Sequence, residues 1–400
     1  MAREIDMYIL NPFFIYICWN IIVIFLYALN LSSLYTVDIL FLIIYLFPVM
    51  FFALLNINKI KKISKKRIYE IENDKTISDN FFYIMWILFV IGLIASVYQI
   101  VMFGTPLELE NKVNRPIGDH YVQYLVNLLP MVSMMAYTAI RFNFGRKISN
   151  ITILVLSLAL LAIWLNRGAY TPFIVTIFFI EYIKSAFNNN IRKYFFSIFI
   201  AGSIFVFIFG YVGNLRTEYV MNNIYHCTVN QWYGMPDYIP TGLAQLYIYL
   251  TSPLENARHM FFEQVPWEYH YGVEMLYPYV AVFNKNIFDA HTNFYPYLDY
   301  TLPVGLNVST YFQSALLDFG LIGPYIYMIY ITLYFRISYK FCHANVYGLL
   351  GNISLIHMSL WMVFVNAFAI GPTLITTLMF IVLSWIREKY HKRNSVGVGG

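Results

Sequence analysis

Charge is scarce in this chain of 400 residues: 12% are Asp, Glu, Lys or Arg, against 60% hydrophobic. A soluble domain carries about a quarter charged residues, so composition alone excludes an ordinary globular protein. Cysteine is nearly absent, with three residues, Cys18, Cys227 and Cys342. Their spacing matches no metal site, and only Cys227 falls on the outer side of the topology below, so no disulfide within the chain is expected there. No Gly-x-x-x-x-Gly-Lys-[Ser/Thr] phosphate loop, no Gly-x-Gly-x-x-Gly fingerprint and no His-Glu-x-x-His is present, which argues against ATP consumption by the chain itself and against the familiar zinc hydrolases. No cleavable signal peptide or lipidation signal is evident, so the first apolar stretch is expected to stay as an uncleaved anchor. No internal repeat is found.

What the chain has instead is long apolar runs. Ten are read as spans, near 8–30, 36–56, 81–103, 120–140, 150–166, 169–187, 194–213, 308–335, 347–368 and 371–386. An apolar helix of about 20 residues crosses the hydrocarbon core. With the N-terminus placed in the cytoplasm, 20 of the 26 Lys and Arg fall in cytoplasmic segments, as the positive-inside rule requires. The basic balance then needs no nucleic-acid partner. The expected fold is an all-α polytopic membrane protein of about ten transmembrane helices with both termini cytoplasmic, a single integral domain over residues 1–400. Residues 57–79 form its basic cytoplasmic loop, with affinity for anionic headgroups of the lipid bilayer.

Sequence is spent mainly on the other side. Residues 214–307 form one large outer loop, rich in Tyr and Trp and holding four of the eight histidines, His226, His259, His270 and His291. Stretches 242–254 and 273–283 are apolar enough to be short interfacial or re-entrant helices. Irregular backbone at that depth needs protein or a wet cavity around it, and long loops are usually functional. The loop is therefore expected to roof a cavity that opens outward.

Six basic residues oppose the inside bias, among them Arg167, Arg216 and Arg258. Arg167 stands in Asn-Arg-Gly at the apex of the short outer hairpin 150–187, and Gly168 would let a ligand approach the backbone. Each of the other two has a carboxylate nearby, Glu218 and Glu255, and Glu255 and Arg258 are spaced to pair on one helix. Snorkelling or structural ion pairing would account for each alone. Three guanidiniums gathered on the outward face point to a phosphate or pyrophosphate ligand, which the planar fork grips through two oxygens. Candidate bases are His259, His270, His291, Glu255, Glu268, Glu274, Asp289 and Asp299. Loop aromatics such as Trp267 read as an interfacial belt or as platforms for sugar rings. Few ionisable residues sit within spans, chiefly Glu181, Asp318 and His357. A secondary transporter normally keeps coupling groups near the midplane.

The layout resembles the oligosaccharide repeat unit polymerases of the O-antigen and capsule pathways (Wzy-type). The resemblance rests on the ten spans, Asn166-Arg167-Gly168 at a short outer hairpin, and one large loop before the last three spans. Asn307-Val-Ser-Thr310 followed by Asp318-Phe-Gly320-Leu-Ile-Gly323 is similar to the family's signature opening the next span, and Tyr249-Leu-Thr-Ser-Pro253 to its Tyr-Leu-x-x-Pro stretch. The resemblance implies a GT-C-like, cofactor-free and metal-independent glycosyltransferase in the bacterial inner membrane, facing the periplasm. Its substrates would be undecaprenyl-pyrophosphate-linked glycans, with a flippase and a chain-length regulator as partners and no nucleic acid. Arg167, Arg216 and Arg258 would hold the pyrophosphate. Gly168, Tyr249, Trp267, Asn307 and Thr310 would contact glycan or lipid. The related O-antigen ligases carry a His-Asn pair where this chain reads Ser309-Thr310, so no histidine base is transferred by position; His259, then His291, and Glu255 are the catalytic candidates. The alternatives are an O-antigen ligase, a lipid-linked oligosaccharide flippase and a structural subunit of an envelope complex.

Overall fold

The computed structural model describes residues 10–57, 71, 75–104, 120–163, 170–187, 190, 192, 194–200, 202–203, 226–262, 269–281, 310–341, 345–364 and 371–396. Among the described residues there are helices and no strand. Four stretches are long and apolar enough to cross a membrane: Ile39–Asn56, Asp79–Phe103, Tyr121–Phe142 and Tyr311–Tyr339. Two apolar helices are shorter, Pro12–Ala28 and Lys147–Ile163. The sequence-read span at 120–140 is two helices that meet at Asn127, and the one at 308–335 opens with a broken helix.

Large apolar side chains stand bare along whole helix faces. On the helix Ile39–Ile57 they are Ile39, Ile43, Phe47 and Phe51, one per turn. On Lys75–Phe103 they include Tyr83, Ile87, Ile94 and Val101, the last 74% exposed. Water would penalise such stripes heavily; hydrocarbon does not. The chain has the construction of an all-α membrane protein.

In chain order the helices are α1 Pro12–Ala28, α2 Ile39–Ile57, α3 Lys75–Phe103, α4 His120–Val126, α5 Leu128–Phe142, α6 Lys147–Ile163 and α7 Thr171–Phe187. Further along the chain come α8 Val229–Trp232, α9 Thr241–Phe262, α10 Val273–Ala281, α11 Tyr311–Phe319, α12 Gly323–Phe341, α13 Val346–Trp361 and α14 Gly371–Val396. Local sequence sets the starts. Asn11 caps α1, its side-chain oxygen accepting from the backbone N–H of Phe13 (2.9 Å) and Phe14 (3.2 Å), with Pro12 in the first turn where no donor is missed. Asn345 caps α13 in the same way through Tyr347 and Gly348.

α13 organises the body. It divides two apolar cores. One is built from α3, α5, α6 and α7, and α13 contributes Tyr347, Leu350, Ile353 and Ile356 to it. The other is built from α1, α2, α9, α11 and α12, with Leu355 and Met358 from α13. A helix between two cores is buried all round, and α13 is buried continuously from Val346 to Ser359. Its polar residues must therefore find partners inside. Asn352 donates to the Leu10 carbonyl (2.9 Å), Ser354 meets Thr377 of α14 (2.6 Å), and His357 meets Thr171 of α7 (2.7 Å). In hydrocarbon such bonds and close small-residue contacts, rather than apolar burial, hold helices together. Gly92 supplies one such contact, since a β-carbon there would stand 2.9 Å from Leu129 of α5.

Candidate functional site

The outer-loop sequence yields a longer element than expected. The stretch predicted to be a short helix near 242–254 runs on through Pro253 to Phe262 as α9. Its first half is pinned to the turn between α1 and α2. The Tyr247 hydroxyl accepts from the Leu31 N–H (3.0 Å) and Tyr35 meets Thr251 (2.8 Å), while ahead of α9 Ser32 donates to the carbonyl of Tyr233, which caps α8 (2.6 Å). These bonds place the next helical turn of α9 over Tyr27 and Thr36.

That turn holds Glu255, Arg258 and His259. Glu255 is wholly buried. Its Oε1 accepts from Arg258 Nε at 2.9 Å and Nη2 at 2.7 Å, and from the Thr36 N–H at 3.3 Å. His259 Nε2 lies 3.3 Å from the same oxygen. The Tyr27 hydroxyl donates to Oε2. The predicted pair at i, i+3 is thus present and is the core of a larger cluster, to which sequence gave no hint of Tyr27 or Thr36. Burial pushes the Glu255 carboxyl up, but hydrogen bonds from His259, Arg258 and Tyr27, with the Arg258 charge, outweigh it and hold the group below the usual carboxylate range. Burial likewise works against the Arg258 charge, and Glu255 more than offsets it, so the guanidinium is held more firmly protonated than usual.

Chemically, the cluster has a buried root and a more open edge. The Arg258 side chain is 12% exposed and that of His259 28%, against none for Glu255. A guanidinium has five N–H donors, and the Glu255 contact uses those on Nε and Nη2. Arg258 also lies over the Phe262 ring, 6.0 Å from its centroid. The turn therefore presents a fixed cation beside an imidazole.

Of the other sequence-named residues, Tyr249 stands on α9 at 38% exposure, its ring 5.7 Å from that of Phe364. Thr310 is buried, and its hydroxyl caps α11 by accepting from the Phe312 N–H (3.2 Å). Arg167, Gly168, Arg216, Trp267, His291 and Asn307 lie outside the described residues, as do Glu218, Glu268, Asp289 and Asp299 among the weighed carboxylates. The remaining described candidates, His270 and Glu274, pair with each other at 3.3 Å. Glu181, one of the few ionisable residues read within the spans, is paired: Arg141 Nη2 donates to it at 2.8 Å and Tyr137 at 2.6 Å.

The Asp-Phe-Gly-x-x-Gly stretch has a structural job that sequence did not reveal. Asp318 is buried and caps α10 from across the fold, accepting from the backbone N–H groups of Glu274 and Met275 (both 3.0 Å) and from the Tyr327 hydroxyl (2.5 Å). Gly320 has φ +59°, and Tyr269 lies against its α-carbon. Gly323 begins α12 where a β-carbon would fall 1.8 Å from the Ala315 carbonyl oxygen. The motif is a joint that ties the loop helix α10 to the entry of the α11–α12 span. Gly323→Ala should cost about 3 kcal/mol, the upper part of the overpacking range, because its obstacle is backbone and not a movable side chain. The thermal midpoint of purified protein checks this.

Among the described residues no group of three or more His, Cys, Asp or Glu is gathered as a metal site would need. No family model, no curated protein and no solved structure matches the chain.

Proposed function

We propose that the chain polymerises polyprenyl-diphosphate-linked oligosaccharide repeat units at the outer face of the bacterial inner membrane, from ten crossings with both ends cytoplasmic. The observation that carries this reading is the α9 turn in which buried Glu255 holds Arg258 and His259 side by side. In this reading the acceptor hydroxyl of an incoming lipid-linked repeat attacks the anomeric carbon of the growing chain. The bond from that carbon to the diphosphate oxygen breaks, and the polyprenyl diphosphate leaves with the electron pair. His259 takes the hydroxyl proton. Arg258, with Arg167 and Arg216, meets the charge that collects on the departing diphosphate. Both Glu255 oxygens are already engaged, so its part is to fix the cation and orient the imidazole rather than to take the proton itself.

A diphosphate is a good leaving group, so positioning, charge stabilisation and one base suffice. Incubating the purified full chain with a lipid-linked repeat should give a ladder of lengthening lipid-linked products. Transfer of one finished chain to a different acceptor would instead indicate ligase chemistry, and vectorial movement without bond formation would indicate a flippase. Added EDTA should leave the ladder unchanged. Inhibition reversed by a divalent cation would overturn the metal-independent mechanism.

A further inference from the structure

Tyr27 belongs to the polar turn of α9 yet cannot touch a substrate. It stands in the last turn of α1 and is wholly buried. Its ring packs against Tyr35, 5.5 Å between centroids, and Tyr35 stacks on Tyr247 of α9 at 6.0 Å. A tyrosine hydroxyl has one proton to give. The Glu255 carboxylate and the Thr36 carbonyl (3.3 Å) both face it, and the charged oxygen is the stronger acceptor.

The terminal torsion of a glutamate is broad, so the direction of this carboxylate is set by what binds it. Its two oxygens are served by different parts of the fold. Among the described residues Oε2 has Tyr27 of α1 as its one donor. Oε1 faces the Arg258 guanidinium, His259 Nε2 and the Thr36 N–H. Fastening Oε2 to α1 leaves Oε1 directed at the cation and the imidazole. That direction decides where His259 keeps its hydrogen. An ionised carboxylate oxygen only accepts. His259 Nε2 lies 3.3 Å from Oε1, so that nitrogen carries the hydrogen. In the neutral ring the lone pair is then on Nδ1.

We infer that Tyr27 is a positioning residue: by fastening Glu255 Oε2 it turns Oε1 onto His259 Nε2, keeps the neutral imidazole in the Nε2–H form, and makes Nδ1 the atom that takes the acceptor hydroxyl's proton. This rests on the functional reading above and deepens it to a single nitrogen. In the step itself the O–H bond breaks, an Nδ1–H bond forms, and the electron pair stays on oxygen for the attack. The imidazolium keeps its Nε2–H on Glu255, whose charge balances the new one. It then returns the proton to water through the exposed part of its side chain.

The test uses the full chain in nanodiscs, with histidine isotope-labelled at both ring nitrogens. Nitrogen chemical shifts separate a protonated ring nitrogen from one with a lone pair, and the spectrum of His259→Gln picks His259 out of the eight histidines. Above the pH at which the ring titrates, wild-type His259 should hold its hydrogen on Nε2. Tyr27→Phe keeps the ring and removes only the hydroxyl. It should give a mixture of the two tautomers and lower kcat for ladder formation by about tenfold, the scale of one hydrogen bond to a charged group, with KM little changed. Tyr45→Phe deletes another buried hydroxyl of the same core, one that donates to Asn20 of α1 at 2.8 Å and makes no bond to Glu255. It should keep the wild-type tautomer and kcat. Thermal midpoints control for folding. Hydrogen on Nδ1 in the neutral wild-type ring overturns the inference whatever the variants do. So does an unaltered tautomer in folded Tyr27→Phe, and so does an equal loss of kcat in Tyr45→Phe. A wild-type chain that holds the Nε2–H form but lengthens no lipid-linked repeat would instead overturn the functional reading.

Discussion

Glu255→Ala should destabilise the protein by about 3–5 kcal/mol, the usual result of removing one partner of a buried ion pair. The carboxylate is wholly buried and answers Arg258, His259, Tyr27 and the Thr36 N–H together. Truncation leaves the guanidinium facing a cavity without the acceptor that offsets its desolvation, and leaves the Tyr27 hydroxyl only its long 3.3 Å contact to the Thr36 carbonyl. Polymer formation should fall with it, because Arg258 and His259 lose the group that sets their direction. Accumulation in the membrane and the thermal midpoint of purified protein measure the first effect. A midpoint within a degree or two of wild type would show that the cluster is peripheral to the fold.

The same carboxylate gives stability a pH dependence of known sign. Its folded-state value is depressed, so it binds its proton less readily folded than unfolded. The stabilisation is fully present above the ordinary glutamate range and drains away as pH falls through the lower, folded-state value. Wild type should therefore lose midpoint on acidification through that window. Glu255→Gln should start lower and lose less over the same interval, because the group that would titrate is gone. Equal acid sensitivity in the two proteins would place the titrating group elsewhere.

How much of this was legible in sequence differs by kind of feature. Apolar runs of sufficient length announced α2, α3, α4–α5 and α11–α12, because hydrocarbon demands a continuous apolar surface whatever the packing. The Glu255–Arg258 pair was legible because three residues along a helix is a local distance. Tyr27 and Thr36 lie more than two hundred residues away in the chain and carry no local sign of their role. Asp318 lies within the Tyr311–Tyr339 span as its apolar run implies, but its capping role was not legible for the same reason: its partners are backbone donors of a helix more than forty residues earlier. α13 falls in the run 347–368 that reads as a span, so the helix was legible and its polar partners were not. Its Asn352, Ser354 and His357 interrupt an apolar run, and only the assembled fold shows each meeting another helix. Local chemistry can be read locally; the tertiary bonds that fix a polar residue in an apolar body cannot.

His259→Ala should lower the turnover of polymer formation by at least about 100-fold, within the range for losing a general base. The argument separates this residue from its neighbours on α9. Glu255 is enclosed, whereas 28% of the His259 side chain reaches solvent, so a substrate hydroxyl can approach it. Its tie to Glu255 is a single 3.3 Å contact, not the two-donor grip on Arg258. Removing the imidazole should therefore leave the midpoint close to wild type while turnover collapses, the reverse weighting of Glu255→Ala. Affinity for the lipid-linked repeat should change little if His259 acts on the proton alone. Arg258→Lys provides the contrast: it keeps a charge but loses the planar fork, so it should weaken binding of the repeat along with turnover. A loss below tenfold in His259→Ala, with protein folded and substrate bound, would move the base to His291 or to a carboxylate of the outer loop. The Glu255–Arg258 pair would then remain as a binding element only.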